Sequence, residues 1–449
     1  MLNLWNRAND GTIIALGALS IAVSAYALYS NDHISHKKLL GRLEIKQSVH
    51  DGDPVAWVWD IITEASEKPQ ELHPTLQEFG NLIETNDRIG LLFQSMFHQG
   101  HSTKSGNKAK IQDYQHMLQI FNRIISRPPP FHSKGHQIGL PMAALLRDYM
   151  ATPSGFAAFL DPEVNAIFQK VLDAWGEFLQ TPESAATLDD PSKGWFSNSS
   201  LTALAASGNT NGSTYQFHEI FDCDPNVPYH GFRSWDDFFT RKFRDGMRPI
   251  AGGDDDNIIV GACEAEPTQL ARDVKAQDTF WMKGRTYSLD QMLGTNYSGE
   301  FVGGTIYQGL LSAFNYHRWH APVSGTIVKT YTIQGTYFST PGAIDDGNGR
   351  LVNFPAYNSA MSTRSVTLIN ADNPAIGLMA FIAVGMVEVS SCEVTVQEGQ
   401  HVKKGDEIGM FHYGGSTHCL IFKKEVNITG FPEGAGNVAV GSRFAVVRP

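Results

Sequence analysis

Met410-Phe411-His412-Tyr413-Gly414-Gly415-Ser416-Thr417 is the stretch on which the reading of this chain turns. A serine directly after two glycines has a peptide carbonyl within its reach, because glycine has no side chain to block the approach and tolerates strained backbone angles. Gly-Gly-Ser-Thr is also an ordinary loop sequence, so its surroundings decide what it does. Upstream lies Tyr316-His317-Arg318-Trp319-His320-Ala321-Pro322-Val323-Ser324-Gly325, and between the two sits Glu398-Gly399-Gln400-His401-Val402-Lys403-Lys404-Gly405-Asp406.

Together these three ordered motifs resemble the phosphatidylserine decarboxylase family of pyruvoyl enzymes. That family has a Y-H-R-x-H-x-P-x-x-G strand, a Gly-x-x-Val-x-x-Gly-Asp turn and a terminal Gly-Ser-Thr cleavage site. The likeness extends upstream through Tyr229-His230-Gly231-Phe232-Arg233-Ser234-Trp235-Asp236-Asp237-Phe238-Phe239-Thr240-Arg241-Lys242-Phe243 and Arg248-Pro249-Ile250, similar to the family's F-x-S-x-x-x-F-F-x-R stretch. A helical region ahead of the motifs, Ala321-Pro322-Val323 after the histidines and the doubled glycine look like the fungal tryptophan decarboxylase branch.

Decarboxylating an α-amino acid leaves electrons on Cα, and the enzyme must offer a sink for them. Pyridoxal phosphate is one; a pyruvoyl group, with its ketone beside an amide carbonyl, is another that needs no external cofactor. The resemblance implies the second, with no pyridoxal phosphate. It implies that the Ser416 hydroxyl attacks the Gly415 carbonyl and that the resulting ester is eliminated. The chain then separates into residues 1–415 and 416–449, which stay associated, and the remnant of Ser416 becomes the pyruvoyl cap. A serine hydroxyl needs a positioned base, and the resemblance gives that role to His320.

The family orients this histidine with an aspartate from a P-A-D-G strand. Here the matching run is Ile259-Val260-Gly261-Ala262-Cys263-Glu264, with Cys263 in the aspartate's slot. Glu264 is the replacement acid expected. Neighbours on a strand point to opposite faces, so either Cys263 or Glu264 turns away, and Glu266 shares Glu264's face. Asp254, Asp255 and Asp256 read as a solvated loop. His317 reads as a structural hydrogen-bonding residue, while His412 and His418 flank the turn with either role open.

A net charge of −11 without a long basic run argues against nucleic acid as a partner. Cys223, Cys263, Cys392 and Cys419 lie far apart with no C-x-x-C pair, so neither a metal site nor a disulfide framework is indicated. They read as small buried hydrophobes in a reducing compartment, and Cys419 is close enough to Ser416 in sequence to line the site.

The fold class expected is α+β: a helical N-terminal domain followed by a mainly β pyruvoyl decarboxylase core with a barrel-sandwich-like C-terminal part. Residues 11–31 carry no charge until Asp32 and are long enough to cross a bilayer. Lys37, Lys38, Arg42 and Lys46 follow, which predicts a membrane anchor over residues 1–31 with the catalytic part in the cytosol. A signal peptide and a buried helix are the alternatives. Residues 32–220 form the helical domain and 221–449 the catalytic one. Val164, Ile167, Phe168, Val171, Leu172, Trp175, Phe178 and Leu179 recur at helical spacing behind Asp161 as N-cap and Pro162. A second helix is predicted from Ile111 through Tyr114, Leu118, Phe121 and Ile125, ending before Pro128-Pro129-Pro130. Residues 197–200 and 207–213 read as loops, and Gly325 to Ile333 as a β-rich run. The Glu398 to Met410 turn resembles the double hairpin of biotinyl and lipoyl carriers, but no attachment lysine stands at its tip.

Two substrates fit the family: the serine head group of phosphatidylserine or a free amino acid. The apolar N-terminus favours the membrane substrate. The helical front domain, Gly414 in place of the leucine of a Leu-Gly-Ser-Thr turn and the missing aspartate favour a free aromatic L-amino acid, with Tyr337 and Phe338 read equally as pocket walls or as core. An unprocessed, non-enzymatic paralogue is the remaining alternative.

Overall fold

The computed structural model describes residues 56–101, 111–131, 140–190, 194–210, 212–278, 287–339, 355–388, 391–413, 416–434 and 436–448. The apolar segment over residues 11–31 lies outside them, as do Gly414 and Gly415. Among the described residues no helix is long and apolar enough to cross a membrane.

The helical half is built as its sequence dictates. Asp161 accepts from the backbone N–H groups of Glu163 (2.9 Å) and Val164 (3.3 Å), and Pro162 occupies the first turn of the helix Pro162–Leu179. A capping carboxylate and a proline with no N–H to leave unpaired both favour a start at this point. Val164, Ile167, Phe168, Val171, Leu172, Trp175 and Leu179 are buried along one stripe. The helix Tyr114–Ile124 starts later than expected, because Asp113 caps it through the His116 N–H at 2.8 Å. The segment behind it supplies acceptors: Trp175 donates to the Arg127 carbonyl and Trp195 to that of Pro129. Residues 197–200 correct the loop reading, since Ser197 caps the helix Asn198–Gly208.

Phe79, Phe93, Phe159 and Phe168 meet edge-on or tilted in the middle of this core. Each ring so buried contributes roughly 1.5–3 kcal/mol. Tyr337 and Phe338 join it from the β half, Phe338 lying 4.8 Å from Phe168, so they are core residues and not walls of a pocket. Phe221, Phe232, Trp235, Phe238 and Phe239 also bury here, which carries the helical core past residue 220.

The strands in chain order are β1 Ile258–Val260, β2 Glu266–Arg272, β3 Thr305–Leu311, β4 Arg318–His320, β5 Gly325–Ile333, β6 Arg364–Ala371 and β7 Leu378–Gly385. There follow β8 Ser391–Val394, β9 His401–Val402, β10 Glu407–His412, β11 Ser416–Phe422, β12 Ile428–Thr429 and β13 Arg443–Val447. They form three antiparallel sheets, ordered β2-β3-β11-β7-β6-β5-β9, β4-β10-β8 and β1-β13-β12. The α+β expectation therefore stands at the level of class.

The barrel-sandwich expectation is corrected. No sheet closes among the described residues, and β9 and β10, read together as one double hairpin, part company: β9 joins the edge of the large sheet while β10 lies centrally in the smaller one. The chain changes sheet again between His412 and Ser416, so the Gly-Gly segment is the crossing from β10 to β11.

Every residue of β11 is buried. One face of the large sheet meets an apolar core containing Tyr307, Leu311, Trp319, Phe381 and Leu420; the other meets a core closed by the helices Leu289–Leu293 and Pro355–Met361. Coverage on both sides explains the unbroken apolar run Leu-Met-Ala-Phe-Ile-Ala-Val of β7.

Candidate active site

Ser416 is the first residue of β11, held between Leu311 of β3 and Gly385 of β7. Its register partner Leu311 puts its side chain on the same face as His418 and Leu420. The hydroxyl is fully buried and has no hydrogen-bond partner. A buried hydroxyl left alone costs roughly 1–3 kcal/mol, so its presence at the head of a central strand needs a reason beyond folding. Such a group fits the precursor of a reacting centre, where hydrogen bonds are withheld until the reaction requires them.

Tyr413 opens the turn in a left-handed conformation, φ 55°, which is strained for a tyrosine. Packing holds it there: its ring lies 4.5 Å from Trp175, 4.8 Å from Trp235 and 6.0 Å from Phe239. The helical half thus clamps the residue that directly follows β10. The bond between Gly415 and Ser416 has its first residue outside the described region.

The four histidines differ sharply. His320 uses both ring nitrogens: Nδ1 faces the Gly405 carbonyl at 2.8 Å and Nε2 the Tyr316 hydroxyl at 2.9 Å. A carbonyl only accepts, so Nδ1 carries the proton and Nε2 accepts from Tyr316. Burial pushes the His320 pKa down and the Tyr316 phenol up, which keeps the ring neutral and the hydroxyl protonated. His320 pairs with Glu407 at the beginning of β10. His317 belongs to the other end: its carbonyl accepts from Phe411 at 2.9 Å and its ring stacks on Phe239, with centroids 3.9 Å apart.

His412 is held on both sides, with Nδ1 3.0 Å from each oxygen of Asp236 and Nε2 2.7 Å from Glu393. Burial opposes its charge, but the two carboxylates win and raise its pKa. His418 lies in the apolar face beside Phe381, its Nδ1 without a partner, and burial pushes its pKa down to about 4. Gly309 makes room for this ring, since a Cβ there would stand 2.8 Å from His418 Cε1.

Glu264 does not orient His320 directly, contrary to the expectation from its slot. Its Oε1 accepts from Arg248 Nε at 2.7 Å and from the Val440 N–H at 2.8 Å. Burial raises its pKa against the pull of Arg248. The Arg248 guanidinium lies 4.1 Å over Phe243, which stacks on Tyr316 at 4.1 Å. Glu264 therefore reaches His320 only through a layered stack whose last member, Tyr316, touches the imidazole. Cys263 points into the apolar core instead, and both residues lie in the bend between β1 and β2 and not on a strand. Glu266 starts β2 opposite Leu310. Cys419 is also turned away, on the opposite face of β11 from Ser416, with Sγ 3.6 Å from Ser359 Oγ.

Sequence reasoning missed Tyr316, Arg248, Asp236 and Glu393 as partners, although the first three lie within the motif stretches quoted above. Only the three-dimensional arrangement joins them.

Two phosphatidylserine decarboxylase family models match the chain, over residues 73–204 and 235–445. A decarboxylase, iboD, of Amanita muscaria is 42% identical over 336 residues, 70% of this chain and 94% of the relative. The chain belongs to the phosphatidylserine decarboxylase family. Within that family, an L-tryptophan decarboxylase of Psilocybe cubensis is 37% identical over 84% of this chain and 88% of its own length. Phosphatidylserine decarboxylase proenzyme 3 of Schizosaccharomyces pombe is 34% identical, but over only 48% of this chain and 22% of the relative.

Proposed function

We propose that the chain is the proenzyme of a pyruvoyl-dependent decarboxylase that releases carbon dioxide from a free, aromatic L-amino acid. The observation that carries the reading is the Ser416 hydroxyl, sealed without a partner at the head of an interior strand, directly after the two glycines. A pyruvoyl group at this position would supply the electron sink that decarboxylation demands. Ser416 is the residue that would carry it, with Leu311 and Gly385 as its neighbours across the sheet.

The remaining roles fall to side chains already in place. His320 is the base for maturation: the proton fixed on Nδ1 by Gly405 leaves the Nε2 lone pair available once Tyr316 lets go, and burial keeps the ring uncharged at neutral pH. Glu264 acts structurally, anchoring Arg248 beneath the Phe243 and Tyr316 rings. Free amino acids are favoured over a phospholipid because two relatives that match along most of both chains are named L-tryptophan decarboxylase. Those matches cover 84% and 78% of this chain, whereas the phosphatidylserine decarboxylase proenzymes align over less than half of the chain.

The test is a denaturing gel and mass spectrum of purified protein, followed by carbon dioxide release without added pyridoxal phosphate. Two chains meeting at residues 415 and 416, turnover of L-tryptophan or a related amino acid and no turnover of phosphatidylserine in micelles are expected. An intact single chain in active protein defeats the pyruvoyl reading. Turnover of phosphatidylserine alone defeats the substrate reading. His320→Ala should remain unprocessed; if it matures normally while His317→Ala does not, the base is His317, at the turn end of β10.

A further inference from the structure

Three residues after Gly385, the β7 neighbour of Ser416, stands Glu388, which neither the motifs nor the family likeness single out. It is 4% exposed. Its Oε1 accepts the Ala143 N–H at 2.9 Å, at the start of the helix Pro141–Met150, and its Oε2 has no partner. Burial pushes the carboxyl up to about 7 despite the backbone donors. The preceding residue, Val387, adopts φ 51°, a conformation that a β-branched side chain avoids unless packing enforces it. The backbone is thus strained next to the residue that carries this carboxylate.

Its surroundings are apolar and aromatic. Met142, Ala143 and Val387 belong to the helical core, as does Tyr413, whose phenol is held far above its usual range by burial and by the nearby Glu388 charge. Tyr413 in turn leans on Trp175, Trp235 and Phe239. Gly385 and Glu388 are three residues apart, a span of at most roughly 11 Å, so the carboxylate and Ser416 lie at one end of the sheet. A carboxylate oxygen with open lone pairs in an aromatic setting matches a ligand that is itself aromatic and carries one N–H donor. An anionic phosphodiester is the wrong ligand for it, because two like charges in a water-poor site repel strongly.

The geometry points to Glu388 as the specificity residue of this site, its Oε2 accepting the ring N–H of an aromatic amino acid such as one bearing an indole. The assignment rests on the amino-acid reading above and deepens it: the α-carboxylate and amine go to the chemistry at Ser416, and the ring nitrogen is read by Glu388.

Glu388→Gln is the variant of choice. Its amide oxygen can still cap the helix at Ala143, while its NH2 group places a donor where Oε2 stood. Processed wild type and variant are compared for kcat/KM on L-tryptophan, 1-methyl-L-tryptophan and L-phenylalanine, the last as an internal reference for partial processing. Wild type should prefer tryptophan to its 1-methyl analogue by about 10- to 100-fold, the value of a charge-assisted hydrogen bond, and in the variant that preference should vanish and the rate on tryptophan should fall relative to the rate on phenylalanine, which has no ring N–H to lose. A tryptophan preference identical in both proteins overturns the assignment and leaves Glu388 as a helix cap. If wild type turns over no aromatic amino acid, the substrate reading fails first and the role of Glu388 with it.

Discussion

The two faces of β11 meet opposite fates. On one, Thr417 donates to the Gly309 carbonyl at 2.8 Å and accepts from Gln308, which is itself joined to Tyr287 at 2.6 Å, while Cys419 reaches Ser359. On the other, the Ser416 hydroxyl and His418 Nδ1 have no partner, nor has the Tyr307 hydroxyl against which His418 packs. The strand is equally buried on both sides. Burial alone therefore does not set which polar groups are satisfied. The face that shows every sign of an ordinary folded interior is the one without the proposed nucleophile, and the unsatisfied groups of this strand lie on the face of Ser416. That is the distribution expected when stability is given up locally for function.

The largest effect expected is that of Ser416→Ala, which should abolish both chain cleavage and decarboxylation. Because it removes a buried hydroxyl with nothing to bond, the variant should be no less stable than the wild type. A gel, a carbon dioxide assay and a urea titration check this together, and a marked loss of stability would show that the hydroxyl is satisfied after all. Next comes Arg248→Met, which leaves Glu264 buried with only the Val440 N–H. Loss of one partner from a buried ion pair costs about 3–5 kcal/mol, so the denaturation midpoint should fall steeply. If processing slows while stability holds, Glu264 has a more direct part in maturation than its contacts indicate.

Thr417→Val sharpens the contrast from the satisfied side. It removes the bonds of Thr417 to Gln308 Nε2 and to the Gly309 carbonyl and should destabilise by about 1–3 kcal/mol, with cleavage still detectable by mass spectrometry. An unchanged denaturation midpoint would mean that this face, too, tolerates unpaired groups. The smallest effect concerns His412, which is paired on both ring nitrogens where His418 has an unpaired Nδ1. Its pKa is raised in the fold, so the stability it contributes is fully present below the ordinary value of about 6.5 and is lost as pH rises through the raised value. Urea midpoints of wild type should decline over that window, and those of His412→Gln should not follow.

How much of this was legible in the sequence depends on the range of the interactions. The helix Pro162–Leu179 and its cap at Asp161 were readable because cap, proline and apolar stripe are all local. So was β5, whose observed limits Gly325–Ile333 coincide with the predicted run. Cys263 and Glu264 do turn to different surroundings, but in a bend between β1 and β2 and not through the strand periodicity expected of them. What periodicity does not encode is which distant group completes a buried charge. Glu264 meets Arg248 and Val440, His320 meets Tyr316 and Gly405, and Glu388 meets Ala143. Of these only Tyr316 lies close in sequence to its partner. Tyr337 and Phe338 were open between pocket wall and core because aromatic residues serve both, and their place in the helical core, with Phe338 against Phe168, separates the two uses.

β11 has a neighbour on each side along its whole length, from Ser416 opposite Leu311 and Gly385 to Phe422 opposite Thr305 and Met379. A chain broken just ahead of it would leave a short fragment threaded through the middle of the sheet and not lying along its rim. Such a fragment departs only when the sheet itself comes apart, so exchange between molecules would be as slow as global unfolding. A catalyst built in this way has no spare part. Should the group made from Ser416 be chemically spent, no fresh fragment could be fitted in its place, and the working life of the prosthetic group would be the working life of the whole polypeptide.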